Sequence, residues 1–310
     1  MKIAYIITAY TDSKQLRRLI DSLWLNAELD SADFYIHVDK KVNIKPFEEA
    51  MKNVSNIFWV MNRYWINWGG FNQVLSQYEL LRMIFEESNK VYDRVICLSA
   101  TDYPLWSNKR IVETMSSDVE FVGGVKVTKE SFKNQQRKFT DYHFFRDLEM
   151  PLRIKRAICA FSRLLMRYSP FHKSLTFKGD TGKEYCVYTG SDYWGITYKC
   201  AKMVFETMKT DRKLMNYFKT SYIPSENVVN TIVMNSPYKE RCSHYVENLP
   251  SCSLDALTPL HYIVYKDSIK VYQLQDWEEL MATDRMFFRK ALTGVSDSLV
   301  NRLEKEVRNA

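Results

Sequence analysis

The chain opens on an almost unbroken apolar run, residues 3–9, of the kind that forms a central strand covered on both faces in a parallel sheet. Asp12 or Ser13 can cap the next helix, because Leu16, Leu19, Ile20, Leu23 and Trp24 recur at amphipathic helical spacing. A second apolar run begins at Phe34 and ends in Asp39. Strand, helix and strand in this span make a βαβ unit, which is right-handed by strong default.

The alternation continues. A short helix is expected over residues 46–51, a strand over 57–60, a loop at 65–70 and a helix from about Phe71 to Glu87. Another buried strand is expected at 94–99, then a helix from Ser107 or Asn108, and a strand at 119–122 that the pattern ends at Gly123-Gly124. Periodicity weakens over residues 126–183 and resumes at 184–188, through a strand reaching Thr197 and a helix over about 200–209. Late strands are expected at 261–265 and 269–272, followed by the segment Phe287-Phe288-Arg289-Lys290 and a closing helix at about 296–308.

Pro224 opens a further short helix, because proline's missing N–H would be unpaired in a first turn anyway. Val228, Val229, Ile232 and Val233 give that helix an inward face. Glu226 then falls in the first turn, where an acid is stabilised by exposed N–H groups. On composition alone the reading of a helix-dipole partner is preferred, and the rest of the chain decides whether it survives.

Charge is distributed unevenly. The chain carries a formal +7, yet residues 126–183 alone hold 14 Lys/Arg against 5 Asp/Glu, a local +9. Such a surface suits a phosphate-rich or membrane-surface partner. Within it the stretch from Arg153 to Tyr168 reads as a helix. Ile154, Ile158, Phe161 and Leu165 form one stripe, with Arg153, Arg156, Arg163 and Arg167 elsewhere. A basic amphipathic helix can lie on an anionic membrane, or its apolar stripe can cover the domain core. Nucleic acid is not expected, since no recognition motif accompanies the charge.

No stretch approaches the roughly 18 apolar residues of a membrane span. The opening apolar run is too short for a signal peptide and no small-residue cleavage site comes after it, so a cytoplasmic location is expected. The six cysteines have no CxxC or other metal-like spacing and are expected to be free thiols, without zinc.

In an open α/β sheet, ligands bind beyond the carboxyl ends of the strands. Thr8, Asp39 and Asp102 sit at such ends. Asp102 can bond a ribose or donor sugar there, or serve as a turn partner before Pro104. There is no GxGxxG after the first strand and no P-loop, which disfavours dinucleotide oxidoreductases and NTPases.

Seven segments, in order, carry a resemblance: Ala4-Tyr5-Ile6-Ile7, Tyr35-Ile36-His37-Val38-Asp39-Lys40-Lys41, Trp68-Gly69-Gly70, Leu98-Ser99-Ala100-Thr101-Asp102-Tyr103-Pro104-Leu105, Gly190-Ser191-Asp192-Tyr193-Trp194, Ile223-Pro224-Ser225-Glu226 and Phe288-Arg289-Lys290. Together they resemble glycosyltransferase family 14, the core-2 and I-branching β-1,6-N-acetylglucosaminyltransferases and peptide xylosyltransferases, in a bacterial-type member. The resemblance implies a GT-A-like fold: a single α/β domain over residues 1–310, with a Rossmann-type mixed sheet flanked by helices. Residues 126–183 would be a basic, partly helical insertion on its acceptor or membrane side. It implies inverting transfer of a sugar from a UDP-sugar to an acceptor hydroxyl, with Glu226 at the catalytic base. Thr8, Asp39 and Trp65 fall at or near positions that hold the uridine, and Lys290, beside Arg289, where a basic residue meets the diphosphate. A family arginine near the start of a late strand is replaced here by His261, which offers one donor where guanidinium offers several.

Glycosyl transfer needs a base for the acceptor hydroxyl and positive charge for the departing diphosphate. No D-x-D triplet occurs in the chain, so Arg289 and Lys290 are expected to act as a cationic clamp without a metal or other cofactor. The expected partners are a UDP-sugar, foremost UDP-N-acetylglucosamine, and a glycan or lipid-linked oligosaccharide of surface polysaccharide synthesis. UDP-xylose or another UDP-hexose is the alternative donor. A catalytically inert nucleotide- or glycan-binding module on the same fold is the alternative function.

Overall fold

The computed structural model describes residues 1–24, 30–132, 136–246, 257–265 and 267–308, with the backbone alone at 244–246. The first half alternates as the hydrophobic pattern dictates. β1 (Lys2–Ala9), α1 (Ser13–Leu23), β2 (Ser31–Val38), α2 (Lys45–Ala50), β3 (Ile57–Trp59), α3 (Asn72–Arg82) and β4 (Arg94–Ser99) succeed one another. β1 pairs in parallel with both β2 and β4. All but two of its residues are buried, as a doubly covered central strand requires. Asp12 caps α1 by accepting from the Gln15 N–H at 3.0 Å.

After β5 (Asp102–Pro104) and α4 (Asn108–Met115), β6 (Glu120–Lys126) runs straight through Gly123 and Gly124 rather than ending there. The reason is packing. A Cβ on Gly124 would stand 2.7 Å from Met234, so the glycine lets the helix that carries Met234 approach the strand. The weakly periodic region then holds α5 (Arg137–Thr140), α6 (Leu152–Arg167) and the hairpin β7 (Thr176–Lys178) and β8 (Glu184–Cys186). β9 (Tyr188–Thr189), β10 (Gly195–Thr197), α7 (Tyr198–Thr210), α8 (Arg212–Lys219) and α9 (Val228–Met234) complete the second half of the main sheet with β11 (Cys242–Val246).

The sheet runs β11-β6-β10-β4-β1-β2-β3, with β9 on β6 and β10 antiparallel to both neighbours. It is a Rossmann-type mixed sheet flanked by helices, the GT-A-like architecture. A small sheet of β12 (His261–Ile263), β13 (Phe287–Arg289) and β5 lies beside it. Residues 269–272 are not a strand; Ile269 makes only an isolated bridge to Tyr265. The cores on the two faces of the main sheet are filled by alternate residues of its strands, such as Ile6 on one and Ile7 on the other.

Cys97, Cys159, Cys186, Cys200 and Cys242 are free thiols, while Cys252 lies outside the described residues. Among the described residues no helix is long and apolar enough to cross a membrane.

α6 overturns one of the two readings of its stripe. Ile154, Phe161 and Leu165 are exposed and Ile158 is half-buried, while the fully buried residues of the helix are Lys155 and Ser162. Its apolar stripe therefore does not cover the domain core.

Candidate active site

β1 has β2 on one side and β4 on the other, so chain connections diverge at its carboxyl end and leave a crevice there. The crevice is a cavity of about 310 Å³. Strand ends supply Thr8, Ala9, His37, Asp39 and Ser99; Gln73 and Ser76 of α3, Trp68, Tyr193 and Arg289 close its sides. Asp39 is held by the backbone: its Oδ1 accepts from the N–H groups of Lys41 at 2.9 Å and Ile66 at 3.2 Å. Lys41 adds an ion pair at 3.3 Å. His37 accepts from the Tyr64 N–H at 2.9 Å, and burial, partly offset by Asp39, lowers its imidazole to about 4. It is a neutral, fixed wall.

Arg289 presents the positive charge. Its guanidinium donates to Asp102 Oδ1 and to Thr101 Oγ1, each at 3.1 Å, and lies 5.1 Å over the Tyr193 ring. Asp102 is wholly buried, and its other oxygen meets the Ser99 N–H at 2.7 Å and His261 Nε2 at 3.0 Å. Burial alone would raise that carboxyl, but His261, Arg289 and the Ser99 N–H more than offset it and leave it below the usual range. Burial opposes the charge on Arg289, yet Tyr193 and Asp102 hold it more firmly protonated than a free arginine.

Glu226 is set by backbone geometry rather than by a long helix. Ile223 takes φ 42°, left-handed and uncommon for a β-branched residue, and leads into a single 3-10 turn, Pro224–Glu226. α9 begins only after Asn227, so Glu226 does not sit in that helix's first turn as the local pattern suggested. The Glu226 carbonyl accepts from the Gly190 N–H at 2.8 Å and from Asn230 Nδ2 at 2.9 Å. Residue 190 has to be glycine to lie this close to β6 and Asn230, since a Cβ there would fall 2.1 Å from the Gly123 carbonyl oxygen and 2.5 Å from Asn230 Oδ1.

Half-buried Asp192 lies next to Glu226. Burial raises the Glu226 carboxyl, the Asp192 charge raises it further and Lys138 pulls back, leaving it at about 8. Burial raises Asp192 as well, with Ser225 and Arg289 opposing. Gln73 of the cavity wall donates to Asp192 Oδ2 at 3.1 Å, which ties the carboxylate pair to the strand-end crevice. A carboxyl poised near neutrality beside a crevice holding a fixed cation can move a proton while charge develops nearby.

The Core-2/I-branching enzyme family model matches residues 3–247. The chain belongs to that family, glycosyltransferase family 14. Xylosyltransferase 1 of Rattus norvegicus is 24% identical over 257 residues, covering 80% of this chain and 27% of that protein. Xylosyltransferase 2 of Rattus norvegicus is 24% identical over 257 residues, covering 80% and 26%. The chain thus spans about a quarter of the length of these curated relatives. Among solved structures, mouse xyloside xylosyltransferase 1 in its apo form is similar at TM-score 0.34 and 9% identity, covering 77% of this chain and 83% of that one. S. aureus TarS 1-349 is similar at TM-score 0.28 and 15% identity, covering 46% and 41%.

Of the family residues expected from sequence, Thr8, Asp39 and Arg289 line one cavity together. Asp102 acts on it only through Arg289, because both its oxygens are already engaged. Trp65 and Lys290 are not among the residues lining it; the Trp65 carbonyl accepts from Asn72 Nδ2, and Lys290 bonds Lys270 and Tyr272 through its backbone. Trp68, two-thirds exposed at 67%, lines the cavity instead. His261 is fully buried against Asp102 and does not line the cavity. Sequence reasoning missed Asp192 and Gln73. Asp192 stands inside one of the family-like segments, but nothing in its spacing announces a partner carboxylate 34 residues away at Glu226.

Proposed function

We propose that this chain is an inverting glycosyltransferase moving a sugar from a UDP-sugar to a glycan hydroxyl, with Glu226 as general base. The observation that carries the reading is the raised, half-buried Glu226–Asp192 pair joined through Gln73 to a crevice containing Arg289. In the reaction Glu226 takes the proton of the acceptor hydroxyl as its oxygen attacks the anomeric carbon. The bond to the diphosphate breaks, and UDP leaves with the electron pair. Arg289, already oriented by Asp102, stabilises that charge without reorganising. Thr8, Asp39 and Trp68 are offered to the nucleotide, and Lys290 and Trp65 remain donor-side candidates by resemblance.

The clamp is proposed to work without a metal. N-acetylglucosamine is the first donor to test, followed by xylose, since the named relatives are xylosyltransferases. The acceptor is proposed to be a glycan or lipid-linked oligosaccharide of surface polysaccharide synthesis, handled at the inner face of a membrane.

The test is UDP release across a donor panel with wild type and Glu226→Gln, alongside calorimetry of UDP binding. Loss of a general base costs about 10²–10⁴-fold in turnover, with binding kept. Turnover unchanged in Glu226→Gln removes the assigned role. UDP binding without any transfer in the wild type leaves the inert module.

A further inference from the structure

Lys41 and Trp68 also border a second cavity, of about 710 Å³, whose remaining wall includes Arg146, Lys155, Arg156 and Arg163. Lys41 is paired with Asp39, and Asp147 beside this wall spends its carboxylate on the Phe71 and Asn72 N–H groups at 2.7 and 3.2 Å. Among the described residues the other four cations of the wall form no salt bridge, though Arg146 donates to the Trp68 carbonyl at 3.4 Å. Lys155 is buried, and its ammonium is held below the ordinary lysine range by burial and by Lys41. Tyr222, also in this wall, feels the charges of Arg146, Glu226 and Arg163, so the cavity reaches the neighbourhood of the proposed base.

α6 forms one side of this cavity and divides into three stripes. Lys155, Ser162 and half-buried Cys159 point inward. Arg153, Arg156, Arg163 and Arg167 make the second stripe. The third, Ile154, Phe161, Leu164, Leu165 and Tyr168, recurs at three-, four- and seven-residue steps and faces outward, with Phe161 63% and Leu165 53% exposed. An apolar stripe bordered by arginines that no acid among the described residues meets matches the interface of an anionic bilayer in both hydrophobicity and charge.

We propose that α6 lies in the headgroup layer of an anionic membrane, with its outward stripe at the acyl boundary and the basic cavity taking a lipid phosphate. The inference deepens the transferase reading and rests on it for one point only, that the acceptor hydroxyl is carried on a phosphate-bearing lipid.

Flotation of the full chain tests it, using vesicles of phosphatidylcholine alone or mixed with phosphatidylglycerol. The wild type floats with the mixed vesicles and stays behind with the neutral ones. Arg156→Ala with Arg163→Ala lowers partitioning by about fivefold per cation removed. Phe161→Ser with Leu165→Ser lowers it as well, while UDP binding by calorimetry stays at the wild-type value in both variants and reports an intact fold. Wild-type flotation by either variant, or equal binding to neutral vesicles, overturns the proposal. So does inorganic phosphate binding without flotation, which marks a soluble-anion site. A dimer that Phe161→Ser with Leu165→Ser dissociates, without flotation, gives the surface to a second copy. UDP release without flotation defeats the membrane inference alone; flotation without UDP binding or release defeats the transferase reading alone.

Discussion

The two neighbouring cavities differ in how their charges are satisfied. In the strand-end crevice, Asp39 is held by two backbone N–H groups and Lys41, and Arg289 is locked by Asp102. Behind α6, Arg156 and Arg163 lie on an exposed helix, and no acid among the described residues meets them. A crevice with pre-paired charges is organised before its ligand arrives, and so contributes orientation and fixed electrostatics. A wall of unpaired cations contributes attraction instead, and needs an anion to complete it. A basic segment and a pre-paired buried cation are different devices even when their cavities share Lys41 and Trp68 at the border.

Breaking the organised side has the largest expected effect. Asp102→Ala leaves Arg289 and His261 buried without their shared partner, which costs about 3–5 kcal/mol of stability. A guanidinium chloride melt measures it, and a midpoint matching the wild type would contradict the role of Asp102 as the hub.

Next is the carboxylate pair. Glu226 is raised partly by the charge of Asp192, so its base form accumulates only as pH rises through about 8. The acidic limb of kcat/KM for the transferase therefore rises toward that pH, and Asp192→Asn moves the limb to lower pH by removing the neighbouring negative charge. A limb that stays in place separates Asp192 from the base.

A smaller contrast is ionic strength. Flotation through the α6 side falls steeply as salt is raised, whereas UDP binding in the enclosed crevice changes little, because exposed charges are screened more than buried ones. Parallel salt titrations of the two measurements check this; equal slopes would erase the distinction between the cavities. The smallest effect expected is none: EDTA leaves UDP release unchanged if Arg289 supplies the leaving-group charge, and activity lost in EDTA and restored by Mn²⁺ would replace the clamp with a metal.

Much of the scaffold was legible along the chain. The βαβ start, the capping Asp12 and the strand ends at Thr8 and Asp39 come from apolar runs and turn chemistry, which act over a few residues. Three features were not. β6 continues through two glycines because α9 presses on it from residues more than a hundred positions later. Asp102 turned from a strand-end acid into a buried hub once His261 and Arg289 reached it from β12 and β13. Asp192 acquired Glu226 as a neighbour through the close contact at Gly190.

Sequence alone therefore determined the α/β alternation, the position of the crevice at strand ends, the family and the existence of a basic helix, because each depends on local periodicity or ordered motifs. Tertiary structure decided which acids are paired, which cations are neutralised and which way α6 faces. Charge pairing depends on distance in space, and the outward stripe of a helix looks the same along the chain as an inward one.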